Sequence, residues 1–221
     1  MVFYKDKFDS IAGQEGVQAR MERRGKPEGL KIGWELLDTR YLYRSQWHHL
    51  RQDRVRLPSG EIIVYTYQEH AGFVVIVPVT VEGEVVLIRT YRYTVDDWVW
   101  ELPAGGLGNR AGQPLIQVAQ EELAEEVGGV ATDWSYHGWF YIANGTADIV
   151  GHIFLATGVR LTLPPRRENT EFIQVHRVSI PEALAMARDG RMRDGESALT
   201  LLRLEPQLQQ LLSTVSGVGK R

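Results

Sequence analysis

VAQEELAEEVGG, residues 118–129, places four glutamates within six positions and ends in two glycines. Apolar residues recur here at helical spacing and predict the buried stripe of an amphipathic helix: Ile116, Ala119, Leu123 and Val127. Pro114 is suited to opening this helix, and Gly128 and Gly129 are suited to ending it. The stretch therefore predicts one central helix with a strongly acidic side.

Three of these glutamates lie close together on the predicted helix. Glu122 and Glu126 are four positions apart and share one face, which Glu125 borders. Carboxylates placed this way repel one another, by roughly a few tenths of a kcal/mol per exposed pair. Two interpretations are open, a solvated acidic face or a cradle for a divalent cation. Mg²⁺ or Mn²⁺ would suit such a cradle, since both prefer carboxylate oxygens, and Mg²⁺ usually also takes phosphate oxygens of a substrate.

The segment before the helix favours the cation. WELPAGG, residues 100–106, predicts the end of a short strand, and residues 103–113 form a Gly-rich loop. Glycines such as Gly105 and Gly106 let the backbone approach a ligand closely. A strand, a glycine loop and an acidic helix in this order are suited to bringing a phosphate-bearing substrate to a metal ion.

The rest of the chain predicts strands followed by helices. FVVIVPVTV and EVVLIRTYRY flank Glu82-Gly83 and predict a hairpin whose strands are covered on both faces. Residues 34–68 predict paired strands, and further elements are expected as strands at Trp98–Leu102, Ser135–Ile142, Val150–Thr157 and Phe172–Val178 and as helices at Pro181–Arg188 and Glu196–Leu212. This pattern indicates an α/β protein of the α+β type, with a mixed β-sheet, helices on its faces and an N-terminal antiparallel β region.

The composition excludes several classes of function. The 221 residues carry a formal net charge of −3 without a basic excess, so we expect no nucleic-acid partner. The chain has no cysteine, which excludes thiol catalysis and cysteine-bound zinc and fits a cytoplasmic location. We expect no secretory signal and no membrane association, because the longest apolar run, Phe73–Val81, is too short to span a bilayer as a helix.

These segments together resemble the Nudix hydrolases, whose box reads G-x5-E-x7-R-E-U-x-E-E-x-G-U, where U is a bulky aliphatic residue. Residues 122–128, ELAEEVG, match E-U-x-E-E-x-G. The surroundings resemble the ADP-ribose pyrophosphatase branch of the family, through VVLIRTYRY, WELPAGG, GHIFLATG and EFIQVHRVSIPEAL in this order. The resemblance covers roughly residues 34–205 and implies a Nudix-like α/β/α sandwich.

Part of the box departs from the family pattern. Gln113 stands at the position of its first glutamate and Glu121 at that of its arginine, so a charge pair beside the metal ligands is replaced. Loss of such a supporting pair commonly costs about 10–100-fold in metal affinity or activity. The glutamates that resemble the family's metal ligands are intact. The sequence therefore predicts an active hydrolase and leaves open a degenerate domain that only binds a nucleotide metabolite.

The resemblance also implies roles for individual residues. Glu122 and Glu126 would be the principal metal ligands, with Glu125 as a further ligand or its partner and the carbonyl of Ala104 adding an oxygen. Further catalytic carboxylates would come from Glu168 and Glu171, in the loop before the strand at Phe172–Val178. Glu171 is the better positional match and could be the base or a further metal ligand, and the alternative is a mobile acidic loop. The residues expected to bind substrate are Arg89, Arg92, Glu101, Gly105 and Gly106, although Arg92 could equally form a sheet-edge salt bridge and Glu101 could equally pair with an arginine.

The implied reaction is attack of water on the pyrophosphate of a nucleoside diphosphate derivative. ADP-ribose, cleaved to AMP and ribose 5-phosphate, is the first candidate, and a nucleotide sugar such as GDP-mannose is the alternative. By the same resemblance we expect a homodimer. The predicted organisation is an N-terminal extension and β region over residues 1–68 that serves dimerisation, a Nudix-like catalytic domain over 69–212 and a flexible tail over 213–221.

Overall fold

The computed structural model describes residues 25–45, 48–108, 110 and 112–218, with side chains described as far as residue 213. The first part of the predicted N-terminal extension, residues 1–24, and Trp47 therefore lie outside the described residues. The chain divides into two compact units. Unit 1 contains Met1–Gly72, Gly106–Leu115 and Phe140–Val150, and unit 2 contains Phe73–Gly105, Ile116–Trp139 and Gly151–Arg221.

Unit 1 is built on an antiparallel sheet. A short helix, α1 (Pro27–Lys31), precedes three strands: β1 (Glu35–Arg44), β2 (His49–Arg56) and β3 (Ile62–Glu69). β2 pairs with both neighbours, so β1 is an edge strand within this unit. β-Branched and aromatic residues are frequent in β3, as expected for a pleated strand. The N-terminal antiparallel region predicted from the sequence is present.

Strands β2 and β3 of this sheet carry a buried ionic cluster of Arg51, Asp53 and Glu69. The Arg51 Nε atom donates to Asp53 Oδ1 at 2.8 Å, and its Nη1 atom donates to Glu69 Oε1 at 3.3 Å. The Tyr67 hydroxyl donates to Asp53 Oδ2 at 3.2 Å, and that of Tyr41 donates to Glu69 Oε2 at 2.7 Å. Each carboxylate therefore has several donors, which is the condition for burying charge without a large penalty.

Unit 2 contains a mixed sheet. Its strands are β4 (Phe73–Thr80), β5 (Glu84–Arg92), β6 (Asp97–Glu101), β7 (Ala104–Gly106), β8 (Gly129–Val130), β9 (Asp133–Ile142), β10 (Ala147–Leu161) and β11 (Ile173–Ser179), of which β7, β9 and β10 also have residues in unit 1. β4 runs parallel to β10 and antiparallel to β5. β5 in turn pairs antiparallel with β6 and β11. The predicted β4–β5 hairpin is confirmed, and β4 is buried along its whole length.

The helix predicted from VAQEELAEEVGG is α2 (Leu115–Val127). It begins immediately after Pro114 and ends where Gly128 adopts a left-handed backbone with φ of 68°. The predicted apolar stripe is partly wrong, because Ile116 is only half-buried. Leu115 and Val118 take the buried positions instead, together with Ala119, Leu123 and Val127. The stripe therefore begins one residue earlier than the sequence indicated.

The C-terminal helices differ from the prediction in two respects. α3 (Ile180–Asp189) lies where a helix was expected, and the Ser179 hydroxyl caps it by accepting from the Glu182 amide. The single helix predicted over Glu196–Leu212 is two helices, α4 (Gly195–Arg203) and α5 (Glu205–Val218). The interruption is explained by Pro206, which has no N–H to donate to the preceding turn. α5 continues past residue 213, the predicted start of the flexible tail.

Candidate active site

The Glu122 side chain lies so close to the backbone of Gly105 that a Cβ atom at position 105 would overlap it. A Cβ atom on Gly105 would lie 1.9 Å from Glu122 Cδ and 2.0 Å from Oε1. The backbone of β7 therefore runs against the carboxylate of the acidic helix. The absence of a side chain at Gly105 lets the Glu122 carboxylate occupy this place.

Glu126 lies one turn further along α2 and is buried, with 6% of its surface exposed. The Ala104 amide donates to its Oε2 atom at 3.0 Å. Burial raises the pKa of Glu126 well above its usual value, the neighbouring charge of Glu122 raises it further, and Arg92 acts in the opposite direction. The structure thus places two of the predicted carboxylates together and connects one of them to the Ala104 amide. The carbonyl of Ala104 was the atom predicted to bind metal.

Glu125, the third predicted ligand, occupies a different environment. Its side chain is 35% exposed and one oxygen lies 3.9 Å from Arg166 Nη2. Among the described residues, no group of three or more histidine, aspartate or glutamate side chains is arranged to hold a metal ion. Of the three predicted ligands, only Glu122 and Glu126 therefore lie together beside β7. The role of Glu125 as a ligand stays a prediction.

The donor set at this place suits a hard divalent cation. Glu122 and Glu126 are two buried carboxylates, and the charge of Glu122 raises the pKa of Glu126. A divalent cation would offset that repulsion, and carboxylate oxygens are the ligands that Mg²⁺ and Mn²⁺ prefer. These two residues fit the cation that the sequence predicted.

Arg92 and Glu101 form an ion pair across β5 and β6. Arg92 Nε donates to Glu101 Oε1 at 2.8 Å and Nη2 donates to Oε2 at 2.5 Å. This bonding raises the pKa of Arg92 above its already high usual value. Glu101 is buried, whereas half of the Arg92 side chain is exposed. Of the two alternatives for Glu101, the structure shows pairing with an arginine.

Arg89 lies on the opposite face of β5 from the buried Thr90. Its guanidinium lies 5.9 Å from the centre of the Trp100 ring, within the range of a cation–π contact. The Arg89 side chain is exposed. The structure therefore separates the two predicted arginines, since Arg92 pairs with Glu101 and Arg89 contacts an aromatic ring.

The loop before β11 contains the two other predicted carboxylates. Glu168 and Glu171 form a turn, in which the Glu168 amide donates to Glu171 Oε2 at 2.9 Å. The charge of Glu171 raises the pKa of Glu126, which shows that the two carboxylates lie within electrostatic range. Of the two predicted loop carboxylates, Glu171 therefore acts electrostatically on Glu126, and a catalytic role for either stays a prediction.

Arg167 holds this loop in place, a role that the sequence did not reveal. Its Nε atom donates to the Glu126 carbonyl at 3.0 Å and its Nη1 atom donates to the Ile173 carbonyl at 2.7 Å. One side chain thus connects the end of α2 to the start of β11. The ArgArgGluAsn sequence of the loop was the available signal, although nothing in it distinguishes Arg167 from Arg166.

The remaining positions in the glycine loop and box are more open. A Cβ atom on Gly106 would have no described atom within 4 Å, and the same holds for Gly108. Gln113 is exposed, and Glu121 accepts a hydrogen bond from Gln117 Nε2 at 3.0 Å on the outer side of α2. Close backbone approach is therefore a property of Gly105 and does not extend to Gly106.

Comparison with known families identifies the family to which the fold belongs. A family model described as "NUDIX domain" matches residues 68–198, which is more than half of the chain. The chain belongs to the Nudix family. A second model, "Nucleoside diphosphate sugar hydrolase N-terminal domain", matches residues 34–68. The family match includes β7, α2 and the loop before β11, so the buried carboxylate pair lies within the Nudix domain.

Relatives and a solved structure agree with this assignment. An ADP-ribose pyrophosphatase of Mycobacterium tuberculosis is 36% identical over 62% of this chain and 66% of its own length. An ADP-ribose pyrophosphatase of Bacillus subtilis is 31% identical over 70% of this chain and 84% of its own length. A crystal structure titled as an ADP compounds hydrolase has a TM-score of 0.69 at 19% identity, covering 80% of this chain and 95% of that one. The latter likeness shows the fold alone.

As a Nudix protein the chain is a pyrophosphohydrolase by type, and enzymes of this family generally need a divalent metal. The predicted fold class is confirmed, with a mixed sheet and few helices. Among the described residues, no helix combines the length and apolar character needed to cross a membrane.

Unit 1 of this Nudix protein contains a cavity of about 460 Å³ that the sequence did not predict. Aromatic rings contribute to its wall, including those of Tyr65, Tyr67 and Tyr141. Lys26 also lines it, with its Nζ atom 4.6 Å from the centre of the Tyr67 ring, and burial lowers the pKa of Lys26. Volume and lining are those of a small-molecule pocket.

Proposed function

We propose that this Nudix enzyme hydrolyses the pyrophosphate of a nucleoside diphosphate derivative, with ADP-ribose as the lead substrate and AMP and ribose 5-phosphate as products. The observation that carries the proposal is the buried pair Glu122 and Glu126, held against β7 within the Nudix match. The two relatives whose names specify ADP-ribose support the choice of substrate.

The metal in this proposal is Mg²⁺, or Mn²⁺ in its place, held by Glu122 and Glu126 with Glu125 as a further ligand. When bound, such a cation supplies charge neutralisation at phosphate oxygens and a lowered pKa for water. The protein contributes the position of the two carboxylates. The Ala104 amide orients Glu126, and the missing side chain of Gly105 leaves room for Glu122.

Proton transfer and phosphate binding are assigned to the neighbouring side chains. Glu171, whose charge is felt by Glu126, is the preferred base for the attacking water, and Glu168 is the alternative. Arg92 is assigned to the pyrophosphate because half of its side chain remains exposed while its guanidinium donates hydrogen bonds to Glu101. Arg89 and the backbone of Gly105 and Gly106 complete the proposed substrate contacts.

A substrate panel tests the proposal. The protein is incubated with ADP-ribose, GDP-mannose, other nucleotide sugars and dinucleotides, each with Mg²⁺ or Mn²⁺, and the products are separated by chromatography. We expect AMP and ribose 5-phosphate from ADP-ribose, with a higher kcat/KM than for any other compound. Binding without turnover across the whole panel would instead identify a degenerate domain that senses a nucleotide metabolite.

A nucleotide sugar is the second candidate substrate. The match of residues 34–68 to a nucleoside diphosphate sugar hydrolase N-terminal domain is the observation that favours it. Both substrates share the pyrophosphate and differ in the sugar and base, so the same carboxylate pair would act on either. A higher kcat/KM for GDP-mannose than for ADP-ribose in the panel would select this alternative.

We further propose that the enzyme is a cytoplasmic homodimer. The support is the edge strand β1 together with apolar side chains that unit 1 leaves exposed, among them Leu42, Tyr43, Ile62 and Val64. Light scattering after size-exclusion chromatography should give twice the mass of the 25.1 kDa chain. A mass of one chain at micromolar concentration would contradict the dimer.

A further inference from the structure

The start of α4 is fixed by a compact set of hydrogen bonds. Asp194 is the capping residue, and its Oδ2 atom accepts from the Ser197 amide at 2.9 Å. The same oxygen accepts from the Ser197 hydroxyl at 2.6 Å. The Ser197 hydroxyl therefore donates its proton to Asp194, and the lone pairs of its oxygen remain available to accept another hydrogen bond.

That other partner lies 95 residues away in the sequence. The Leu102 amide donates to Ser197 Oγ at 2.9 Å, and both residues are buried, with 1% and 2% of their surfaces exposed. Leu102 stands just beyond the end of β6, where the pairing with β5 stops at Glu101. The next residue, Pro103, has no amide proton. The Leu102 amide is therefore the one backbone donor available between β6 and β7, and Ser197 holds it.

Residues of the candidate site lie on both sides of Leu102 in the sequence. Before it, Glu101 holds Arg92 through two hydrogen bonds. After it, the Ala104 amide holds Glu126, and Gly105 lies against Glu122. A shift of Leu102 would move Glu101 and Ala104 together, because only Pro103 separates Leu102 from Ala104. Displacement of about 1 Å at a catalytic group can cost on the order of a hundredfold in rate.

We propose that Ser197 is a positioning residue for the reaction. Its hydroxyl couples the capped start of α4 to the segment Glu101–Gly105 and so sets the place of Arg92 and of the Glu122–Glu126 pair. The inference rests on the proposed function for its kinetic consequence. Its structural consequence, protection of the Leu102 amide, does not depend on the substrate.

The test uses two variants that each delete one buried hydroxyl from α4. Ser197→Ala removes the oxygen that binds Leu102. Thr200→Val is the matched control: Thr200 is fully buried on the same helix, and its Oγ1 atom has no hydrogen-bond partner among the described residues. Both proteins are full length and are compared with wild type well below their melting temperatures.

For Ser197→Ala we expect kcat for ADP-ribose with Mg²⁺ to fall by about 10–100-fold, with KM changing less than about threefold. Mn²⁺ binding, measured by calorimetry without substrate, should weaken by about tenfold. Hydrogen exchange should accelerate in the peptide covering residues 98–106. Thr200→Val should keep wild-type values in all three measurements.

The proposal is overturned if folded Ser197→Ala keeps kcat and Mn²⁺ affinity within twofold of wild type, or if Thr200→Val loses as much. Should Ser197→Ala fail to fold, Ser197→Cys replaces it, since a somewhat larger thiol leaves no cavity but accepts hydrogen bonds weakly. If the wild type turns over no compound of the panel, the proposed function fails. Mn²⁺ affinity and hydrogen exchange then still decide whether Ser197 positions the segment.

Discussion

Replacement of Gly105 by alanine is the most specific perturbation that the site geometry suggests. The new methyl group would be placed 1.9 Å from Glu122 Cδ, 2.0 Å from Oε1 and 2.2 Å from Cγ. The φ angle of Gly105 lies outside the left-handed region, so alanine introduces no backbone strain there. The three atoms nearest to the new methyl group all belong to Glu122, so the substitution acts first on that side chain.

The size of the effect follows from these distances. The Glu122 carboxylate must withdraw by about 1.5 Å before the methyl group reaches ordinary van der Waals separation. A misplacement of about 1 Å can lower a catalytic rate on the order of a hundredfold. A side chain forced away from its preferred rotamer costs about 0.5–1.5 kcal/mol. We therefore expect Gly105→Ala to remain folded and to lose about a hundredfold or more in kcat.

The assay is steady-state hydrolysis of ADP-ribose at saturating Mg²⁺, together with urea unfolding of the same protein. Gly108→Ala is the control, because its methyl group would have no described atom within 4 Å. Gly108 lies three residues after Gly105 in the sequence, and Gly108→Ala should keep wild-type kcat. The reasoning is refuted if Gly105→Ala keeps wild-type kcat, or if Gly108→Ala loses activity equally.

Three further predictions address pH and loop anchoring. Burial lowers the pKa of His152 to about 4, so the unfolded chain gains protons before the folded one, and stability falls as pH decreases from 6.5 towards 4. Wild type should lose about 2 kcal/mol more than His152→Gln between pH 7.5 and pH 5 in urea unfolding. Burial, followed by nearby acidic charges, raises the pKa of Glu196 to about 7, so its contribution to stability is lost as pH rises from 4.5 through 7. After discounting for partial exposure, Glu196→Gln should be more stable than wild type by about 1–2 kcal/mol at pH 8 and equal to it at pH 4, by calorimetric melting. Arg167→Ala loses two hydrogen bonds to backbone carbonyls and should lower kcat by about tenfold, whereas Arg166→Ala, whose guanidinium is largely exposed, should leave kcat unchanged. Equal kinetics for the two arginine variants would argue against the anchoring role.

Elements set by short-range pattern could be predicted from the sequence. The β4–β5 hairpin follows from two β-branched runs around Gly83, and α2 follows from helical spacing closed by Gly128. The helical spacing predicted Ile116 in the buried stripe of α2, whereas the structure buries Leu115 instead. Spacing alone fixes a face only to within about one residue, and packing against other elements decides which neighbour is buried.

Contacts between distant segments could not be predicted. The Ser197–Leu102 hydrogen bond joins residues 95 positions apart, and no local pattern marks either of them. The sequence left two roles open for Glu101, because an isolated carboxylate does not reveal whether an arginine will face it. The pairing of β5 with β6 sets Arg92 opposite Asp97 and Glu101 opposite Ile88, so even the strand register does not predict the Arg92–Glu101 ion pair that the structure shows.

Glu126 is the residue on which the account depends most. It is buried, accepts the Ala104 hydrogen bond and interacts electrostatically with Glu122, Glu171 and Arg92. Glutamine keeps the size of the side chain and an oxygen that can accept from the Ala104 amide, so Glu126→Gln should fold normally. The glutamine side chain is uncharged, so it cannot supply the negative charge that a divalent cation requires.

The most direct test of the account is therefore ADP-ribose hydrolysis by wild type and Glu126→Gln across a titration with Mg²⁺. We predict that wild-type turnover rises with Mg²⁺ to saturation. Glu126→Gln should melt within a few degrees of wild type and show a kcat lower by about a thousandfold at every Mg²⁺ concentration. Wild-type turnover by the variant, or turnover by either protein that is independent of added metal and of chelator, would contradict the account.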